Sequence, residues 1–228
     1  MAPTVYLVSG SSRGIGLGLV TKLAERDNTI VFAGCRSPGT SPLLQSLAVQ
    51  QPTNLHIIQL TAADKAGNDA AVAHLVVKSL EVTPESMREH YEVNTIGPLV
   101  LFQSSFSLLS ASTPHPKYII ISSFMGSNSF GTRVPTNQLP YGASKAAVNW
   151  VASKLHYDHP PFVVVPIHPG AVATDGAAVA VKQEPFLADY PLISIERSAQ
   201  GVLKVVDEAE RGEEASALRS YDGGSFPW

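Results

Sequence analysis

One cysteine, Cys35, stands in the 228 residues. A single thiol excludes a disulfide framework within the chain and fits a reducing compartment. No run approaches the roughly 18 apolar residues of a membrane-spanning helix. The amino terminus runs straight into an apolar segment, Val5 to Val8, without the charged region, long apolar stretch and cleavage site of a secretory signal. A net charge of -3 leaves no basic footprint for nucleic acid. A cytoplasmic protein with neither membrane nor nucleic acid as partner is the default expectation. Internal repeats and linkers are also missing, so residues 1–228 read as one domain. At 44% hydrophobic and 15% charged residues, the chain has material for a sizeable core.

Strands and helices alternate along the first third. Val5 to Val8 reads as a short buried strand and Ile15, Leu19, Val20, Leu23 and Ala24 as a helical stripe. Thr29 to Cys35 is a second strand, Ser41 to Gln51 a helix, Leu55 to Leu60 a third strand and Asp64 to Leu75 an Ala-rich helix. That order predicts a doubly wound, mainly parallel α/β sheet. Where a fourth strand should follow, the chain offers only Leu75-Val76-Val77-Lys78-Ser79-Leu80. Thr83 and Pro84 then open a helix to about Ser110, with a kink expected at Gly97-Pro98. Strands are predicted at Lys117 to Ser122, Phe162 to Ile167 and Leu218 to Tyr221. Helices are predicted from Tyr141 to about 157 and from Ile195 to Arg211. Residues 124–139 form a loop, and 175–192 an irregular, lid-like segment.

The first strand ends in Ser9-Gly10-Ser11-Ser12-Arg13-Gly14-Ile15-Gly16, and a helix follows. Strand, glycine turn and helix suit a phosphate: backbone can approach it closely, and the helix start offers free N–H groups and positive dipole charge. The plainer alternative is a tight turn with nothing bound. An acid after the second strand would hold the adenosine ribose hydroxyls of a dinucleotide. None stands there. Arg36 does, with Arg13 in the turn. Two guanidinium forks suit a 2'-phosphate, which favours NADP over NAD unless both arginines are merely solvated.

Tyr141-Gly-Ala-Ser-Lys145 carries the chemistry. On a helix, Tyr141 and Lys145 share a face four residues apart. A phenol has a free pKa of about 10, and a nearby ammonium lowers it. Such a pair can protonate a carbonyl oxygen near neutrality. A half-buried Tyr beside a solvated Lys is the bland alternative. Ser123 follows a buried strand at the end where α/β sheets bind ligands. No G-x-S-x-G elbow surrounds it, which disfavours a hydrolase. Asn94 lies on a mostly apolar stretch and must find partners, structural or functional. The histidine cluster His156-Tyr157-Asp158-His159 falls at a helix end and suggests a solvated or capping role, not a metal.

In this order, Gly10-x-x-x-Gly14-Ile15-Gly16, Val93-Asn94, Ser122-Ser123, Tyr141-x-x-x-Lys145 and Pro169-Gly170-x-Val172-x-Thr174 resemble the classical short-chain dehydrogenases/reductases over nearly the whole chain. The closing Asp222-Gly-Gly-Ser-Phe-Pro-Trp228 is similar to fungal ketoreductases of the norsolorinic acid ketoreductase type. The resemblance implies a Rossmann-like α/β/α fold with a cofactor half near 1–115 and a catalytic half near 116–228. It implies that Tyr141 donates a proton, Lys145 tunes it, Ser123 polarises a carbonyl and Asn94 supports a relay water. Gly10, Ser12, Arg13, Gly14, Ile15 and Gly16 would line the pyrophosphate of NADP(H), and Val172 and Thr174 the nicotinamide end. Homodimers or homotetramers are implied as well.

Two departures stand out. Thr61 occupies the place of the family's adenine-contacting Asp, with Asp64 three residues on. The family's Asn-Asn-Ala-Gly motif and the strand before it have no counterpart; about twenty residues are missing between His74 and Leu80 by ordinary strand and loop lengths. The expectations are therefore two. One is an NADPH-dependent reductase of a ketone or aldehyde, reversible toward the alcohol. The other is a non-catalytic nucleotide- or partner-binding relative, or a shortened product.

Overall fold

The computed structural model describes residues 2–61, 76–112, 115–212 and 217–228. Two hydrogen-bonded ladders form among them. The first is parallel: β1 (Thr4–Ser9), β2 (Thr29–Cys35) and β3 (Leu55–Gln59), in the order β1-β2-β3. The second runs β4 (Lys117–Ile121), β5 (Val163–His168), β6 (Leu218–Ser220) and β7 (Ser225–Phe226). Its pairs are parallel except the short β7, which returns antiparallel after the Gly223 turn.

Both ladders share one helix layer. α1 (Gly14–Ala24), α2 (Pro42–Gln50) and α7 (Ile195–Glu208) bury Val20, Leu23, Leu44 and Val202 against Val31 of β2 and Val163, Val165 and Ile167 of β5. The alternate β5 residue Val164 points the other way, as the two-residue period of a strand requires. There it meets Phe102 of α4 (Gly97–Ser110), Tyr118 and Ile120 of β4, and Val148 and Ala152 of α5 (Leu139–Asp158). Each such fully buried aliphatic is worth roughly 1.5–3 kcal/mol. Helices thus cover β5 on both faces, and the α/β, Rossmann-like, three-layer expectation holds.

The interior edge is unusual. β1 ends its ladder and pairs with no described strand on that side, and β4 does the same. Val5 is 58% exposed and Leu7 42%. Tyr6 and Val8, pointing the other way, pack on the shared core. Val76 to Lys78 form no strand along this edge. Leu75 lies outside the described residues, and Val77 makes a single bridge to Gln138. The Val77 N–H donates to the Asn137 carbonyl at 2.8 Å. The expected helix over Asp64 to Leu75, and Asp64 itself, also lie outside the described residues.

The long helix breaks before Gly97-Pro98. α3 (Pro84–Tyr91), capped by the Thr83 hydroxyl accepting from the Ser86 N–H, passes into a π turn over Glu92–Ile96 and then α4. Pro98 has no N–H for the carbonyl four residues back, that of Asn94, so the regular ladder fails there. The segment after Thr174 is more ordered than expected: α6 (Asp175–Gln183), then a 3-10 turn over Pro185–Asp189. The Thr174 hydroxyl caps α6 by accepting the Ala177 N–H, and its alanines favour helix despite Gly176.

Candidate active site

Every parallel strand that touches the site delivers its residues at the carboxyl end, where α/β sheets bind ligands. β1 delivers the glycine turn. Gly10 and Gly14 take φ of +69° and +57°, a region that suits glycine. A Cβ on Gly16 would overlap the Gly10 carbonyl oxygen, so the turn can close on itself only with glycine there. The Ser11 N–H donates to the Gly34 carbonyl and its hydroxyl to the Val8 carbonyl, which ties the turn to β1 and β2. α1 then starts with no acid in its first turn and no side chain capping it. Its amino-terminal N–H groups and positive dipole end stay available to an anion.

Arg13 does not stand free. Its Nη1 lies 3.1 Å from Oδ2 of Asp175, an exposed pair that joins the turn to α6. Thr174 lies against the same turn, its methyl 3.6 Å from the position of a Cβ on Gly14. Arg36 is half-buried at the end of β2, and its Nη1 is buried without a hydrogen-bond partner among the described residues. Buried guanidinium donors are normally paired, so an orphan one points to an anionic ligand. Thr61 is exposed beyond β3. Val172 is buried and bridges to Ile193, which holds the start of the segment toward α6.

The catalytic candidates converge on α5. Pro140 starts the helix, so Tyr141 and Lys145 stand one turn apart. Tyr141 stands near enough to Ser123 for the serine side chain to oppose the effect of burial on the phenol. Lys145 Nζ sits 5.7 Å from the Tyr141 ring centroid and donates to the Ile121 carbonyl at 2.9 Å. Ser123 is 6% exposed, and its hydroxyl also accepts the Met125 N–H at 3.2 Å. A Cβ on Gly126 would strike the Lys145 backbone, so the turn after Ser123 packs directly on α5. Asn94 reaches the same helix: its Nδ2 donates to Ser144 Oγ at 3.0 Å, and Ser144 Oγ donates to the Tyr141 carbonyl at 2.7 Å.

The electrostatics depart from expectation. Burial raises the Tyr141 pKa, with Ser123 opposing it, so the direction is the reverse of the lowering expected from Lys145. Burial also pushes Lys145 down to about 8. A low-polarity surrounding disfavours both charged forms, phenolate and ammonium alike.

Several participants had weak sequence signals. Ser144 lay inside the Tyr-to-Lys pentapeptide as an apparent spacer. Thr95, whose hydroxyl donates to the Ser144 carbonyl, looked like part of an ordinary helix. His156 is buried, not solvated: its Nδ1 accepts the Val164 N–H at 3.2 Å, and burial, then Arg211, lowers its pKa. His159 packs among Phe102, Phe106 and Phe162. No cluster of metal-ligating side chains occurs among the described residues, and none of the described helices is long and apolar enough to cross a membrane.

A glycine turn at one strand end, and a Ser, Tyr and Lys grouped at another, define a nucleotide-binding oxidoreductase class. The family model for short chain dehydrogenase matches residues 74–185. An uncharacterized oxidoreductase of Schizosaccharomyces pombe is 32% identical over 252 residues, covering 98% of each chain. The norsolorinic acid ketoreductase of Aspergillus parasiticus is 29% identical over 257 residues, covering 99% of this chain and 91% of that one. The NADPH-bound carbonyl reductase from chicken fatty liver superposes with a TM-score of 0.80 at 28% identity, covering 100% and 99%. The chain belongs to the short-chain dehydrogenase family. Both aligned spans exceed the chain's own 228 residues, so those relatives carry residues with no counterpart here.

Proposed function

We propose that this chain is an NADPH-dependent reductase of a ketone or aldehyde, acting as one domain in the cytoplasm. The observation that carries the reading is Lys145 Nζ, 5.7 Å from the Tyr141 ring centroid and bound at 2.9 Å to the carbonyl of Ile121, two residues before Ser123. The glycine turn, the uncapped α1 start and the Arg36 Nη1, which has no partner among the described residues, fit a dinucleotide bearing a 2'-phosphate. Gly10, Ser12, Gly14, Ile15 and Gly16 would hold its pyrophosphate, Arg13 and Arg36 the 2'-phosphate, Thr61 the adenine side, and Val172 and Thr174 the nicotinamide end. When bound, NADPH would supply the hydride to the carbonyl carbon.

The chain's own residues then have distinct tasks. Ser123 donates a hydrogen bond to the substrate oxygen and polarises it. Tyr141, a phenol protonated at neutral pH, gives its proton to that oxygen as the alcohol forms. Lys145 supports the phenolate left behind and orients the cofactor ribose. Asn94 steadies the Tyr141 turn through Ser144 and would hold a relay water near it. Exposed Ile96, Val100, Trp150 and Tyr157 on α4, α5 and the π turn support a homodimer or homotetramer.

A second reading has its own observation. The edges of β1 and β4, unpaired among the described strands, favour a chain shortened in the middle of its sheet, retained as a nucleotide- or partner-binding relative or made as a truncated product. One experiment separates the two. NADPH oxidation is followed over a panel of ketones and aldehydes for the wild type, Tyr141→Phe and Ser123→Ala. The reductase reading expects turnover that Tyr141→Phe abolishes with little change in NADPH binding. Equal turnover in Tyr141→Phe refutes it, and so does a folded wild type inert on the whole panel.

A further inference from the structure

Glu184, just beyond α6, is 6% exposed. Its Oε1 accepts two hydrogen bonds from Asn137, from the backbone N–H at 2.9 Å and from Nδ2 at 2.6 Å. Its Oε2 is buried with no hydrogen-bond partner among the described residues. Withdrawing a carboxyl group from water is costly, and leaving one oxygen unpaired adds to the cost. Packing alone would be served better by an apolar side chain. The bond to Asn137 therefore needs a use.

Asn137 sits where three segments meet. Its carbonyl accepts the Val77 N–H at 2.8 Å. The next residue, Gln138, forms the bridge to Val77, and its carbonyl accepts the Gly142 N–H at 2.8 Å. Gln138 is also the residue before α5, and its side chain makes no cap. The first turn of α5 is thus aligned by backbone bonds from Gln138, beside the residue that Glu184 grips. Tyr141 belongs to that turn. The loop around Asn137 is mostly exposed, so little packing could replace the grip.

We propose that Glu184 is a positioning residue: by holding Asn137 it fixes the entry of α5, and so the aim of the Tyr141 hydroxyl toward Ser123. The proposal rests on the reading of Tyr141 as proton donor. It assigns the segment after α6 a task of its own, beside that of Asp175, whose pair with Arg13 joins the start of α6 to the glycine turn.

The test compares wild type, Glu184→Ala, Glu184→Gln and Asn137→Ala by steady-state kinetics, NADPH titration and amide hydrogen exchange. Glu184→Ala should lower kcat about tenfold or more, as the loss of charge-assisted hydrogen bonds in an aligning contact implies, with the NADPH Kd unchanged within about twofold. Exchange at Gly142 and Val77 should quicken about tenfold or more while the β5 amides stay as they are. Glu184→Gln keeps a carbonyl oxygen for Asn137 and should restore both readouts. Asn137→Ala keeps the backbone donor and should give a smaller loss in the same direction; it decides the matter if Glu184→Ala does not fold. Unchanged exchange at Gly142 and Val77 overturns the proposal. Equal quickening across β5, or failure of Gln to restore kcat or exchange, overturns it too. A wild type that reduces no carbonyl compound sinks the reductase reading, and exchange at Gly142 and Val77 still decides the grip.

Discussion

Lys145 donates from Nζ to the Ile121 carbonyl at 2.9 Å, which ties the helix bearing Tyr141 to the strand that leads into Ser123. The bond fixes where the ammonium stands, and burial decides how readily it stays charged. With its pKa pushed down to about 8, Lys145 is protonated at neutrality and loses its charge as pH rises through that value. The rate of carbonyl reduction should hold from about pH 6 to 7.5 and fall above about pH 8. A pH–rate profile checks this, and a flat profile to pH 9.5 contradicts it. Lys145→Met should lower kcat about a hundredfold, within the ordinary range for losing one acid–base participant.

Gly16 can carry no Cβ without overlapping the Gly10 carbonyl oxygen. Gly16→Ala should therefore open the turn and cost about tenfold or more in NADPH affinity, a loss of at least about 1.4 kcal/mol. Far-UV circular dichroism should stay near that of the wild type. Fluorescence titration of the reduced cofactor measures the loss, and an unchanged Kd would contradict the geometry.

The edge of β1 that pairs with no described strand makes a stability prediction. Leu7 is 42% exposed, whereas Val31 on the adjoining strand is fully buried. Leu7→Thr should cost about 0.5 kcal/mol or less, as surface changes do. Val31→Ala should cost about 2 kcal/mol or more through the cavity it leaves. Urea unfolding gives both values. Equal costs would mean that β1 is covered in solution.

His168 is 7% exposed and sits edge-on to both Phe124 and Phe226. Burial pushes its pKa down to about 4, against a smaller upward pull from Asp222. The unfolded chain binds that proton near pH 6.5, so stability is complete above that pH and drains away between about 6.5 and 4. This one group should make the chain about 2 kcal/mol less stable at pH 5 than at pH 7. His168→Phe should remove that share of the difference, measured by urea unfolding at both values.

Much of this was legible in the sequence because its signals are local. A Pro followed by apolar residues at helical spacing gives α5, and four residues of helix put Tyr141 and Lys145 together whatever the rest of the fold does. Strand, glycine turn and helix are contiguous, so the phosphate-binding arrangement could be read directly. The partner of the short segment near Val77, Gln138, lies sixty-one residues away and left no trace in the pattern. Long-range polar pairs were invisible for the same reason: Arg13 with Asp175, Glu184 with Asn137 and Asn94 with Ser144 are each set by tertiary approach. The pKa shift of Tyr141 was misjudged because spacing reports the neighbouring charge but not the burial that outweighs it.

The measurement that bears most directly on the reductase reading is titration of the purified 228-residue chain with NADPH and then NADH, followed by the fluorescence of the reduced cofactor. The account predicts saturable binding of NADPH with at least about tenfold preference over NADH, the share expected from pairing a 2'-phosphate with Arg36 and Arg13. A folded chain that binds neither cofactor would contradict it and leave the non-catalytic reading in its place.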